Sequence, residues 1–343
     1  MANAHPLKPW SSAIAASLGA LALLAAACSS GKGTSHPGDP PGDGDDAGGS
    51  IAPAADGGSD ASDDAPAPAP QAFVRIAQLS PDVPPVDVCI APHGTTDFQG
   101  PLVGQLALSL AGGDGGAEDA SLPGLSYPQV SAYLAVTPGP YDVRLVAAGA
   151  TDCSAGLSAD DASGGLPDTT NLPALAYGTY ATLLIAGDFS PAGTDRALTV
   201  AMLPDDAVLA GGAAVLRAIN AVPSWPSLDL GYGSPAGTWS PVLANVAFAQ
   251  ASSQAAPGYG TVDGNGYLAI APIAGEPVGA WPVDSDAASD AARASSVEID
   301  LGSIATVVAI GGKTGDGANP PSLLVCMDNQ PSGGLLSDCS VAQ

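Results

Sequence analysis

Histidine and cysteine are the scarce reactive side chains of this 343-residue chain, three and five respectively, and their positions limit its chemistry. His5 and His36 lie on either side of an N-terminal apolar run, so a Ser-His-Asp set would have to be built on His93. No G-x-S-x-G nucleophile turn, G-x-x-x-x-G-K-[ST] phosphate loop or G-x-G-x-x-G fingerprint occurs, and no His-rich cluster offers zinc its ligands. Carboxylates are abundant, 34 acidic residues against eight basic, but they gather in Gly-rich loops of the kind that form solvated turns. Two such loops, Asp114 to Asp119 and Asp263-Gly264-Asn265-Gly266, present oxygen ligands for a hard cation without the D-x-[DN]-x-[DN]-G spacing and closing Glu of a calcium loop. The reading is therefore non-catalytic, with no metal and no cofactor. The competing class is an extracytoplasmic hydrolase that works through paired carboxylates on glycans or peptides.

The cysteines carry the second kind of chemistry. Ala13 to Ala27 is an apolar stretch too short to span a bilayer comfortably. Lys8 precedes it, and Ala25-Ala26-Ala27 lead directly into Cys28 and a polar sequence. This junction resembles that of bacterial lipoproteins, which implies a signal peptide over 1–27, lipidation of Cys28, export, and a membrane partner through the lipid anchor. Ser29, where an Asp would favour inner-membrane retention, points to the outer membrane or cell surface. Lipidation also accounts for the odd cysteine count, leaving Cys89, Cys153, Cys326 and Cys339 to pair in an oxidising compartment. A net charge of −26 repels phosphate backbones, so nucleic acid is excluded as a partner.

Residues 28–71 alternate Gly, Pro, Ala and Ser with aspartates and read as a disordered acidic tether, with a reach of roughly 35 Å. Beyond it, short apolar runs broken by Gly, Pro and Asp predict many short strands and an all-β fold. Tyr141, Val143 and Leu145 alternate with Asp142 and Arg144, the period of a half-buried strand, whereas Thr179 to Ala186 is apolar or small throughout, as in a strand covered on both faces.

The pattern occurs twice. Phe73 to Val88 aligns without a gap to Val215 to Leu230, which matches Arg75 with Arg217, Pro81 with Pro223, Pro84 with Pro226 and Asp87 with Asp229. Tyr133 to Val136 further matches Tyr267 to Ile270, Gly178 to Leu184 matches Gly302 to Val308, and Leu198 to Met202 matches Leu323 to Met327. Two repeats follow, 72–206 and 213–343, joined by a linker at 207–212. Pairing within each repeat would join Cys89 to Cys153 and Cys326 to Cys339.

At Ser80-Pro81-Asp82-Val83-Pro84-Pro85-Val86-Asp87-Val88 the first repeat resembles a bacterial domain family of unknown function, found in exported and lipid-anchored proteins. The resemblance implies two tandem immunoglobulin-like β-sandwiches and brings no catalytic role. In the second repeat Ser-Pro-Asp has become Val222-Pro223-Ser224. The signature reads as structural: the prolines connect two strands, Asp87 and Asp229 open the second strand, and Arg75 and Arg217 bond within their own domain, to these aspartates or to loop carbonyls. Trp225, Trp239 and Trp281 all fall in the second repeat. Trp225 and Trp239 are the candidate binding residues, as a platform for an envelope glycan or protein, with sandwich capping as the competing role.

Overall fold

The computed structural model describes residues 69–111, 124–158, 166–205, 215–233, 239–252, 267–272, 278–284, 297–298, 304–312, 318–328 and 336–342. Cys28, the expected signal peptide, nearly all of the tether, the linker at 207–212 and the acidic loops at 114–119 and 263–266 lie outside these residues.

In the first repeat the chain runs β1 (Ala72–Gln78), β2 (Val86–Pro92), α1 (Leu102–Ala111), β3 (Gln129–Val130), β4 (Leu134–Val136), β5 (Tyr141–Ala147), β6 (Tyr180–Ala186) and β7 (Thr199–Pro204). The second runs β8 (Val215–Asn220), β9 (Ser227–Gly233), β10 (Trp239–Ala247), β11 (Tyr267–Pro272), β12 (Val278–Asp284), β13 (Val297–Glu298), β14 (Ile304–Ile310), β15 (Ser322–Met327) and β16 (Cys339–Ala342). The protein is all-β: one sheet is ordered β3-β1-β6-β7 with β4 also on β1, and β2 pairs with β5. The other two are β16-β15-β14-β8 and β10-β9-β11-β12-β13.

Side-chain alternation on the central strands explains how these sheets stack. On β1, Ala72, Val74 and Ile76 point into a core shared with Val86 and Val88 of β2 and Val143 and Leu145 of β5. The alternate residue Ala77, with Leu79 just beyond the strand, joins a different core containing Leu184, Leu203, Ile219, Val308 and Leu324. The second repeat mirrors this, with Leu216, Ala218, Ala305 and Val307 packed on Leu228 and Leu230 of β9. Among the described residues, four sheets therefore form three apolar layers, and the β1 and β8 sheets meet back to back. The central strands β1, β6, β8 and β14 are buried along nearly their whole length because both their faces are covered, as the run at 179–186 predicts.

Hydrogen-bond register defines which residues are equivalent between repeats. β1 runs parallel to β6 with Arg75 opposite Thr182, and β8 runs parallel to β14 with Arg217 opposite Thr306, in keeping with those two sequence matches. Two other matches are corrected. Thr182 opposes Leu203 while Thr306 opposes Cys326, so β7 and β15 correspond two residues away from the match of Leu198–Met202 with Leu323–Met327. β4, containing Leu134 to Val136, pairs with β1, whereas β11 pairs with β9 and places Ala271 opposite Asp229, as Val146 of β5 stands opposite Asp87. The true counterpart of β11 is β5. Short apolar strands resemble one another at every two-residue step, so letters alone cannot fix this register.

Helix α1 has no counterpart among the strand predictions. Its sequence, Leu-Val-Gly-Gln-Leu-Ala-Leu-Ser-Leu-Ala, favours helix apart from one glycine, and Pro101 precedes it. The first amides are capped from another element: Asp87 of β2 accepts hydrogen bonds from Val103 N–H at 2.9 Å and Gly104 N–H at 2.8 Å.

Candidate functional site

The repeated arginines converge at the centre of the molecule. Arg75 and Arg217 are each 2% exposed. Arg75 Nη1 lies 2.7 Å from Asp328 Oδ1 of the other repeat, and its Nε donates to Thr182 Oγ1 at 2.9 Å and stands 3.4 Å from Asp205 Oδ2. Arg217 Nη1 reciprocates by pairing with Asp205 of the first repeat and donating to the carbonyl of Pro204 at 2.5 Å. Thr182 donates to Asp205 at 2.8 Å and Thr306 to Asp328 at 2.5 Å, and the amides of Asp205 and Asp328 donate to Tyr180 and Ile304 at equivalent places. Burial works against the charge on Arg75, but Asp328 and Asp205 more than offset it and hold the guanidinium above its ordinary pKa. Tyr133 lies beneath Arg75, 5.1 Å from ring centroid to guanidinium carbon, and donates to Asp205 at 2.7 Å; burial keeps its phenol neutral.

This corrects the expected partners of Arg75 and Arg217. The aspartates they meet are Asp205 and Asp328, and the principal pairs cross between repeats. Asp87 is spent on amides of β2 and α1; burial raises its pKa, against the pull of the Val103, Val88 and Gly104 amides. Asp229 accepts from Asn245 N–H at 2.7 Å on the equivalent strand.

The proline connections are held from beneath. Gln78 accepts from Ser80 N–H at 3.0 Å and donates to the carbonyl of Val83 at 3.4 Å. Asn220 repeats this with Val222 N–H at 3.1 Å and the carbonyl of Trp225 at 3.3 Å. Pro81 and Pro223 follow these anchored positions, with Pro84 and Pro226 on the far side of each loop. The Trp225 ring is half-buried against the second repeat's outer core. Trp239 begins β10 opposite Gly233; its side chain and that of Trp281 lie outside the described residues.

Both disulfides form within their repeats, Cys89 with Cys153 and Cys326 with Cys339. Arg144 steadies the first: it donates to the carbonyl of Cys153 at 2.6 Å, pairs bidentately with Asp168 at 2.8 Å through each nitrogen, and lies 4.1 Å over the Phe98 ring. Cys326 and Cys339 oppose each other on β15 and β16.

A cleft of about 570 Å³ opens on the first repeat, between the end of β2, the first turn of α1 and the connection from β4 to β5. His93, Gln99, Gln105, Ile90, Pro138 and Tyr141 line it. His93 is held there by Asp142 of β5, with Nδ1 to Oδ1 at 2.7 Å, and Asp142 also accepts from the amides of Asn171 at 2.7 Å and Gly94 at 3.0 Å. The bond from His93, followed by those two amides, lowers the Asp142 pKa to about 2. An ionised Asp142 makes Nδ1 the protonated ring nitrogen and leaves Nε2 as the nitrogen available to a ligand. This pairing joins residues 49 apart in sequence, and no local motif marks it. Among the described residues no group of His, Cys, Asp and Glu could hold a metal ion, and no helix is long and apolar enough to cross a membrane.

Taken together, these elements define an all-β protein of two double-layered repeats joined through a buried ionic and apolar interface. No family model matches the chain, and no curated protein matches it. Among solved structures, similarity is found to the tip fimbrial protein Mfa3 from Porphyromonas gingivalis with a C-terminal truncation, at 10% identity and a TM-score of 0.20, covering 75% of this chain and 100% of that one.

Proposed function

We infer that this chain is an exported, lipid-anchored protein of the bacterial cell envelope whose folded part binds or braces and does not catalyse. The observation that carries the reading is the cysteine accounting. Four of the five cysteines are used in two disulfides, which need an oxidising compartment to persist, and the fifth is Cys28, directly after an apolar run and three alanines. The repeated charges support the non-catalytic part, since Arg75 and Arg217 are spent on holding the repeats together. An envelope glycan or protein is the proposed partner, with the loops near Trp225 and Trp239 as one candidate surface; outer membrane or cell surface is the proposed location.

Mass spectrometry of the protein purified from cells tests the anchor. The expected mature N-terminus is Cys28 with a diacylglyceryl group on sulfur, and residues preceding Cys28 or a free Cys28 thiol would overturn it. Incubation of the full chain with glycan and peptide substrates at neutral pH tests the rest, because turnover would replace the binding role with a hydrolytic one.

A further inference from the structure

We propose that the cleft beside His93 is a binding site for an uncharged oligosaccharide, which deepens and rests on the reading of this protein as an envelope binder. Four observations carry the assignment. The cleft is large enough for a small ligand, about 570 Å³, within the usual range of roughly 300–1,000 Å³ for such sites. Its polar side chains are those that match hydroxyls: the amides of Gln99 and Gln105 each offer a donor group and an acceptor, and His93 offers Nε2. Ile90, Leu102 and Pro138 supply apolar wall for the C–H faces of a sugar. Finally, none of the residues lining this cleft is Asp, Glu, Lys or Arg, although the chain carries a net charge of −26. A cation thus finds no carboxylate inside, and an anionic ligand is repelled on approach by the field of the whole molecule.

The same geometry disfavours peptide. Strand addition needs an open edge, but Ile90 already exchanges both bonds with Gln99, and Gly139 does so with Leu175. Polyproline segments dock on exposed aromatic faces, whereas Tyr141 is 6% exposed and its hydroxyl is committed to the carbonyl of Thr137. The walls are set before any ligand arrives: Asp142 fixes His93, the His93 amide donates to the carbonyl of Pro140 at 3.0 Å, and Asp87 fixes the start of α1. Such preorganisation lowers the ordering cost of binding.

The test is calorimetric titration of the purified full chain with maltotetraose, cellotetraose, mannotetraose and chitotetraose, with trigalacturonic acid and decaproline as comparison ligands. Saturable binding of at least one neutral tetrasaccharide is expected, weakened about tenfold by Gln99→Ala and by Gln105→Ala, as loss of a hydrogen-bonding side chain implies. Both glutamines are exposed, so melting temperature should be unchanged in these variants. Absence of binding by all four neutral sugars, full affinity in both glutamine variants, or preferential binding of decaproline or trigalacturonic acid would each overturn the assignment. Cleavage of a bound tetrasaccharide that is lost with the glutamines would keep the site and overturn only the non-catalytic reading.

Discussion

Two guanidinium groups and two carboxylates meet in the interior, and their unequal wiring sets what each is worth. Asp205 is approached by both arginines and accepts from Thr182 and Tyr133, whereas Asp328 serves Arg75 and Thr306. Removing one partner of a buried pair costs about 3–5 kcal/mol, because the opposite charge is left without compensation. Asp205→Asn should fall in that range by urea denaturation, with Asp328→Asn costing less; equal costs would show that the two aspartates are interchangeable. The aspartates were not legible as partners because the repeat match slipped by two residues on β7 and β15, a shift that preserves which face each apolar side chain occupies and hides the residue that ends the strand. Arg75 and Arg217 were legible, since the motif aligns them without a gap, whereas Thr182 and Thr306 fall at equivalent places in the match of Gly178 to Leu184 with Gly302 to Val308 without being marked as their partners. At Asp142 the prediction concerns pH. Its native pKa of about 2 lies below the ordinary ~3.9, so its stabilising contribution is complete above ~3.9 and fades as pH falls toward 2. Asp142→Asn should remove that part of the acid sensitivity, and urea midpoints compared between pH 5 and 2 would show an unaltered slope if His93 and the two amides stabilise the neutral form equally well.

Elements were legible wherever both faces of a strand had to be covered, and obscure wherever a distant residue decided the outcome. The run at 179–186 became β6 because apolar side chains on both faces suit a strand sandwiched between two cores. Helix α1 was hidden because its cap comes from Asp87, 15 residues before its first residue, instead of from a Ser, Thr or Asp directly preceding it. The cleft was equally hidden, being assembled from a strand end, a helix start and a loop. At the exits of β6 and β14 the chain uses Gly187 and Gly311, both with positive φ, at +98° and +76°. A Cβ on Gly187 would collide with the carbonyl of Ala197, and one on Gly311 with that of Pro320. Backbone contact and left-handed φ act together, so Gly187→Ala and Gly311→Ala should each destabilise by more than the ~1 kcal/mol of an ordinary Gly/Ala difference, as thermal denaturation would show. A neutral result at either site would mean that the turn rearranges without disturbing the strand.

At the scale of the whole molecule, the question is whether the two repeats behave as two domains or as one. Sandwich domains joined by a short linker would each keep a polar outer surface, and their sheets would need nothing from each other. Here the back of the β1 sheet places Leu184 and Leu203 against a core that also holds Ile219, Val308 and Leu324 of the other repeat, and the reciprocal Arg75–Asp328 and Arg217–Asp205 pairs lie within this layer. Separating the repeats would expose that apolar face and four charged groups, each of which has an ion-pair partner in the other repeat. Neither half should persist without the other, so unfolding should be a single cooperative transition. The sequence provides its own probes: beyond Trp10, the tryptophans are Trp225, Trp239 and Trp281, all in the second repeat, whereas far-UV circular dichroism reads strands of both. In urea the fluorescence and dichroism curves should coincide, with one midpoint and a slope befitting the surface of both repeats. Arg75→Ala should move both curves to lower urea together, although Arg75 and the tryptophans belong to different repeats. Separate midpoints in the unaltered protein, or a variant in which dichroism shifts while fluorescence stays, would show that the repeats fold independently and that the buried charges only align them.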